Sequence, residues 1–191
     1  MVNLIRPSSL SRTLALVPPV VALVAQHASG SIFLKVESSS GMINGESTDT
    51  KHAGWIDVSS MQFGVTNPVT LSNGQINPGK SVSAALTITK ALDWSSPQLF
   101  LGCAMGIHYP TVTLELTSFS GTANITYYRI TLSNVVVSSV STASNADRPS
   151  ESVSMSYEKI TTDYYMMDPK GGLPMTPTST ATWNFATSSP K

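Results

Sequence analysis

The sequence predicts an all-β fold that contains one short α-helix. Apolar and polar residues alternate in runs such as 32–36 and 111–117, and a period of two is typical of a strand with one buried face. Turn-forming pairs such as Asn67-Pro68 and Asn73-Gly74 separate these runs. One stretch near residue 100 breaks the alternation and has the spacing of a helix.

Seven strands are predicted along the chain. The five that alternate clearly are 32–36, 81–89, 111–117, 152–157 and 180–185. Two further runs, 54–66 and 124–140, are long and mix apolar residues on both faces. Such strands are either buried on both sides or interrupted by a bulge.

The predicted helix covers residues 96–105. Ser96 is a candidate N-cap, Pro97 suits the first helical position, and Gly106 suits a left-handed C-terminal cap. The residues predicted to share one apolar face are Leu99, Phe100, Cys103 and Ala104. We expect this face to cover an opening of the sheet, with Cys103 as a small core residue.

The composition points to a surface rich in hydroxyl groups. Charged residues make up only 12% of the chain and the net charge is zero, whereas there are 30 Ser and 21 Thr among 191 residues. An even charge balance without a basic stripe argues against nucleic-acid binding. A surface of hydroxyl groups is cheaper to bury against another subunit than one of lysine and glutamate.

Residues 1–30 differ from the remainder. Arg6 and Arg12 precede an apolar run over 14–25, the pattern of a signal peptide, although Pro18-Pro19 interrupts the run. A folded extension, a misplaced start and a disordered tail are the alternatives. The predicted organisation is therefore a signal peptide or N-terminal extension at 1–30, followed by one domain at 31–191.

The sequence shows no constellation typical of an enzyme. Its histidines, His27, His52 and His108, have no metal-ligand spacing, and neither a nucleophile elbow nor a phosphate-binding loop occurs. We therefore predict no catalytic residues, no metal and no cofactor. The densest polar cluster is 45–52, for which we expect a contact role.

Several segments, in order, resemble the Hcp family, the tube proteins of bacterial type VI secretion. The matching stretches are 32–36, 45–52, Ile56-Asp-Val58, 86–90, 96–99, Cys103-Ala104, 106–110, 128–132, 135–142, Asp147-Arg148 and 151–153, with Trp183-Asn184 as the closing strand. Each match is weak by itself, but the ordered set over about 31–160 is specific.

The resemblance implies a compact β-barrel of two antiparallel sheets with one helix. It also implies homohexameric rings that stack into a tube, effector proteins carried in the lumen, and a spike protein and sheath as partners. By the same analogy the 45–52 loop aligns with an extended loop that reaches the neighbouring ring. The residues so assigned to subunit or ring contacts are Gly45, Glu46, Ser47, Asp49, Lys51 and His52.

Family members begin almost directly at the first strand, so residues 1–30 are a departure, as are the prolines Pro149, Pro169, Pro174 and Pro177. We expect secretion by the type VI machine or by an N-terminal signal, from a cytoplasmic pool, without stable membrane insertion. The alternatives are an exported Hcp-like barrel with a structural role outside the machine, and a hydrolase or lectin on the same fold.

Overall fold

A computed structural model describes residues 30–120, 123–144, 146–166 and 176–190. The strands are β1 (Ile32–Ser38), β2 (Gly41–Ile43), β3 (Ile56–Val58), β4 (Ser60–Gln62), β5 (Val65–Thr66), β6 (Val69–Ser72), β7 (Gln75–Pro78), β8 (Val82–Ser83), β9 (Leu86–Ala91), β10 (His108–Phe119), β11 (Asn124–Ala143), β12 (Ser150–Tyr164) and β13 (Ser179–Asn184). One helix, α1 (Ser96–Met105), lies between β9 and β10. The signal-peptide prediction falls on residues outside the described part, as do Pro169 and Pro174.

Nine strands form one antiparallel sheet in the order β2-β1-β10-β11-β12-β9-β4, with β3 paired to β1 and β13 paired to β12. Only Ser59 separates β3 from β4, and its N–H donates to the carbonyl of Thr89 on β9 (2.7 Å). Because β3 pairs with β1 while β4 pairs with β9, this segment joins two distant strands and closes the sheet. The all-β class is confirmed. We expected a barrel of two sheets, and one connected nine-stranded sheet forms it.

The core of the barrel is apolar and well buried. Its most enclosed side chains are Leu34, Val36, Ile56, Leu86, Ile88, Leu99, Leu114, Ile130, Leu132 and Met155. Each such side chain contributes about 1.5–3 kcal/mol relative to an exposed one. Phe33 is also buried, although the alternation places it on the outer face of β1, so something must cover that face.

Two of the predicted strands are divided in the structure. The run 54–66 forms β3, β4 and β5, whose partners are β1, β9 and β8. The run 81–89 forms β8 and β9, which belong to different sheets. The alternation of apolar and polar residues continues through these breaks, because the hydrophobic period does not indicate which strand will be the pairing partner. The long strand at 124–140 is confirmed as β11, with an irregular register between Val137 and Ser139.

The predicted helix bounds are confirmed, but its cap and its apolar face differ from the prediction. The N-cap is Ser95, and its side chain makes no capping hydrogen bond, while Gly106 takes the expected left-handed conformation. Leu99 is buried and Cys103 partly buried, yet Phe100 is 64% exposed. The helix therefore packs through a narrower stripe than predicted. Within the described residues no helix has the length and apolar character needed to cross a membrane.

Candidate functional site

The loop between β2 and β3, residues 44–55 and here called the polar loop, folds back on itself. The Gly45 N–H donates to the Gly54 carbonyl (2.8 Å), and the Ser47 N–H donates to the Trp55 carbonyl (3.0 Å). A Cβ atom on Gly45 would lie 2.3 Å from the Trp55 carbonyl oxygen. Glycine is required at this position because the two arms of the loop approach too closely for any side chain.

His52 anchors the polar loop to the barrel. Its ring lies flat on Phe33, with centroids 4.1 Å apart, and only 2% of the residue is exposed. Nδ1 lies 2.6 Å from Oδ1 of Asp49, and Nε2 lies 3.0 Å from Oε2 of Glu115 on β10. The loop is therefore the cover over the outer face of β1.

Glu115 gathers three donors at the base of the polar loop. Besides His52, Thr126 donates to Oε2 and Arg129 Nε donates to Oε1 (2.7 Å), both from β11. Asn124 Nδ2, also on β11, donates to Oδ2 of Asp49 (2.9 Å). The loop is thus tied to two strands of the barrel by buried, charge-assisted hydrogen bonds, which are stronger than neutral ones.

This cluster shifts the pKa value of each of its members towards the charged form. Burial alone would raise the pKa of Glu115, but hydrogen bonds from His52 and Thr126 and the Arg129 charge lower it to about 2. The pKa of Asp49 shifts in the same direction. Burial would raise it, but hydrogen bonds from Asn124, His52 and the Lys51 amide lower it to about 2. Burial disfavours charge on His52, but the two carboxylates outweigh it and raise its pKa above 6.5.

Glu46 ties the polar loop to the loop that follows β9 and to the loop that precedes β12. Its Oε1 accepts from the Trp94 N–H (3.1 Å), and its Oε2 lies 2.7 Å from Nη2 of Arg148. Arg148 also donates through Nε to the Leu92 carbonyl (2.8 Å). Both charged side chains are about half exposed. This ion pair therefore joins three loops at the surface, where Trp94 is also exposed.

The six predicted contact residues fall into two groups. Gly45, Ser47 and His52 are buried, so their side chains act within the chain and are not available to a neighbour in this conformation. Glu46 and Lys51 are exposed and Asp49 is half-buried. The contact role of the loop stays a prediction, now with Glu46 and Lys51 as the side chains that can reach a partner.

A second buried charge cluster lies under the start of α1. The ammonium of Lys90, which is fully buried, lies 2.7 Å from Asp93 Oδ1, 2.9 Å from Glu151 Oε2 and 2.9 Å from Ser96 Oγ. The Ser96 hydroxyl in turn donates to Oε2 of Glu151. The cluster holds α1 against β9 and β12.

Residues 69–78 form an exposed two-stranded hairpin, here called the apolar ribbon, that sequence reasoning missed. Asn73 and Gly74 have positive φ and make its two-residue turn, which confirms the turn predicted there. Val69 faces Pro78 and Leu71 faces Ile76 across the strands. The three non-proline side chains of this face are 62–74% exposed. The sequence signal that identifies this hairpin is the alternation of apolar and polar residues on both sides of Asn73-Gly74.

An apolar groove of about 620 Å³ lies beside the base of the ribbon. Its lining residues include Phe63, Val65, Tyr157, Trp183 and Phe185, and aside from tyrosines none is titratable. Among the described residues, the groove therefore has no carboxylate, histidine or lysine for acid–base chemistry. The lining of this groove suits an apolar contact.

Comparisons with known proteins place the chain in a family. Residues 33–164 match the family model "Type VI secretion system effector, Hcp". The chain is 33% identical to Protein hcp1 of Pseudomonas aeruginosa over 136 residues, which cover 70% of this chain and 82% of that protein.

Solved structures agree with that match. A structure described as a type six secretion system protein superposes with a TM-score of 0.76 at 27% identity, covering 85% of this chain and all of its own. Hcp1 from Salmonella typhimurium superposes with a TM-score of 0.66 at 28% identity, covering 83% of this chain and 97% of its own. The chain therefore belongs to the Hcp family of type VI secretion tube proteins.

Proposed function

We propose that the chain forms rings of six copies, that the rings stack into a tube, and that effector proteins travel in its lumen. The observation that carries this proposal is the apolar ribbon. Its face of Val69, Leu71 and Ile76 is left in water by the single chain, and an isolated two-stranded hairpin is marginally stable. Covering each of these side chains in an assembly contributes about 1–2 kcal/mol.

A ring made by one repeated contact needs two different surfaces on each copy, and it closes only if the contact angle is constant. The polar loop suits such a contact because hydrogen bonds to β10 and β11 hold it at one end and the Glu46–Arg148 pair holds it at the other. Glu46 and Lys51 are the exposed residues that we assign to the contact between subunits or rings. A spike protein, a sheath and effectors are the proposed partners.

Sedimentation and electron microscopy of the purified full chain test the proposal. We expect six-copy rings and stacks of rings; a strict monomer at high protein concentration contradicts the proposal. Glu46→Gln should weaken assembly while the far-UV circular dichroism spectrum stays unchanged. Glu37→Gln is the matched control, because Glu37 forms a surface ion pair with Lys35 on β1. Equal loss of assembly in both variants would remove the polar loop from the contact.

A second candidate is an Hcp-like barrel exported outside the machine, with a structural role at the cell surface. The apolar run at 14–25 after Arg6 and Arg12 favours it. Intact-mass measurement on protein from the culture medium distinguishes the two routes. A mature chain that begins near Ser29 supports export by a signal, whereas the full mass supports the machine.

A further inference from the structure

We propose that His52 clamps the polar loop to the barrel as an imidazolium, and that loss of one ring proton releases the loop and weakens assembly. This inference rests on the proposed function, because it assigns a control to the loop that contacts the neighbouring copy. The function itself does not use His52, whose ring is almost wholly enclosed.

The geometry of the ring nitrogens carries the proposal. Each nitrogen faces a carboxylate oxygen, Nδ1 that of Asp49 at 2.6 Å and Nε2 that of Glu115 at 3.0 Å. An ionised carboxylate only accepts hydrogen bonds, and a neutral imidazole has one N–H. A neutral His52 would therefore place a lone pair against a carboxylate in a buried site. Only the imidazolium satisfies both contacts.

Among the residues that the structure describes, the surroundings of the ring offer no other donor that could replace the lost proton. Phe33 covers one face and Trp55 meets the ring edge-on. From β11, Arg129 and Thr126 already donate to Glu115, and Asn124 donates to Asp49. Lys35 lies over Trp55, with its nitrogen 5.9 Å from the ring centre. Deprotonation of His52 would leave the carboxylates of Asp49 and Glu115 with the guanidinium of Arg129 as their remaining positive charge.

The sign of the pH dependence follows from the direction of the shifts. His52 has a raised pKa, so its contribution is complete below about 6.5 and is lost as the pH rises through the folded pKa. Asp49 and Glu115 have lowered pKa values, so their contribution is lost as the pH falls towards about 2. The loop is held most firmly in the mildly acidic range and is released on the alkaline side.

Release should be confined to part of the loop. The bonds from Glu46 to Trp94 and Arg148 do not involve His52 and hold the other part in place. The amides of Lys51 and His52 donate to the Asp49 carboxylate, and the Trp55 amide donates to the His52 carbonyl. These three amides report directly on the clamp.

Nitrogen NMR of the full chain measures the protonation of His52, and amide hydrogen exchange measures the loop. We expect both ring nitrogens of His52 to be protonated at neutral pH. Between about pH 6.5 and the His52 midpoint, opening of the three amides should rise roughly tenfold per pH unit beyond the intrinsic exchange rate, and it should level off above that midpoint. A neutral His52 at pH 7 with the amides still protected would overturn the proposal.

Two variants sharpen the test. Asp49→Asn keeps an acceptor for Nδ1 but removes one carboxylate charge, so the His52 midpoint and the loop release should both move about one pH unit or more downward. His108→Gln is the control, because His108 is exposed and bonds to Asn134 instead. A midpoint that Asp49→Asn leaves unmoved contradicts the clamp.

Sedimentation of the wild type over the same pH range separates this inference from the proposed function. Assembly that declines in step with loop release supports both. A titrating clamp in a chain that assembles at no pH overturns the tube proposal alone. Assembly that persists after the loop is released overturns the control assigned to His52.

Discussion

The polar loop and the apolar ribbon are both inserted between pairs of short strands, and they differ in what covers their side chains. His52 and Ser47 of the polar loop are buried by the chain itself. Leu71 and Ile76 of the ribbon remain about three-quarters exposed. A single copy buries the anchoring side chains of the polar loop but leaves the apolar face of the ribbon in water. The difference indicates that the polar loop holds its exposed residues Glu46 and Lys51 in position, whereas the ribbon offers an apolar surface to another molecule.

The largest effect is expected from Glu115→Ala. This change leaves the His52 ring and the Arg129 guanidinium without their carboxylate, and breaking a buried charge cluster costs about 3–5 kcal/mol. Urea unfolding of the monomer measures the loss. Glu37→Ala is the matched control, and its surface ion pair should contribute at most about 1 kcal/mol. Similar losses in the two variants would show that the polar loop is not anchored as described.

A smaller loss is expected from Gly45→Ala. The added Cβ would meet the backbone of Trp55 and Ile56, which cannot move like the end of a flexible side chain. The two arms of the polar loop must separate, at roughly 1–3 kcal/mol. Gly64→Ala is the control, since its Cβ would meet only Ala84 at 4.0 Å. Thermal unfolding compares the two; an unchanged midpoint for Gly45→Ala contradicts the close approach.

The smallest effect on folding, and a large one on assembly, is expected from the double variant Leu71→Ser with Ile76→Ser. Both side chains are already in water, so the free energy of unfolding should change by less than about 0.5 kcal/mol. Sedimentation should show a loss of rings or stacks. Thr70→Ala with Gln75→Ala alters the polar face of the same ribbon and should assemble normally. If the double variant assembles as the wild type does, the ribbon is not a contact.

The comparison also shows why sequence reasoning assigned the contact to one segment and overlooked the other. The 45–52 cluster is dense in polar residues and matches a family pattern. For that reason all six predicted contact residues were assigned a contact role. The burial of His52 depends on Phe33 and Glu115, which lie outside this segment of the sequence. The apolar ribbon was visible only as alternation on each side of Asn73-Gly74, in a stretch of four-residue strands too short to stand out.

The sequence by itself determined the strand periodicity, the helix from Ser96 to Met105, the turn at Asn73-Gly74 and the family. These features depend on local conformational preferences and on ordered motifs, so each can be recognised from residues that are close together in the sequence. Only the tertiary structure decided that β3 and β4 close the barrel, that His52 lies between Asp49 and Glu115, and that the ribbon's apolar face is uncovered. Partner choice and burial arise from contacts between distant segments, and a hydrophobic pattern cannot say which segments will meet.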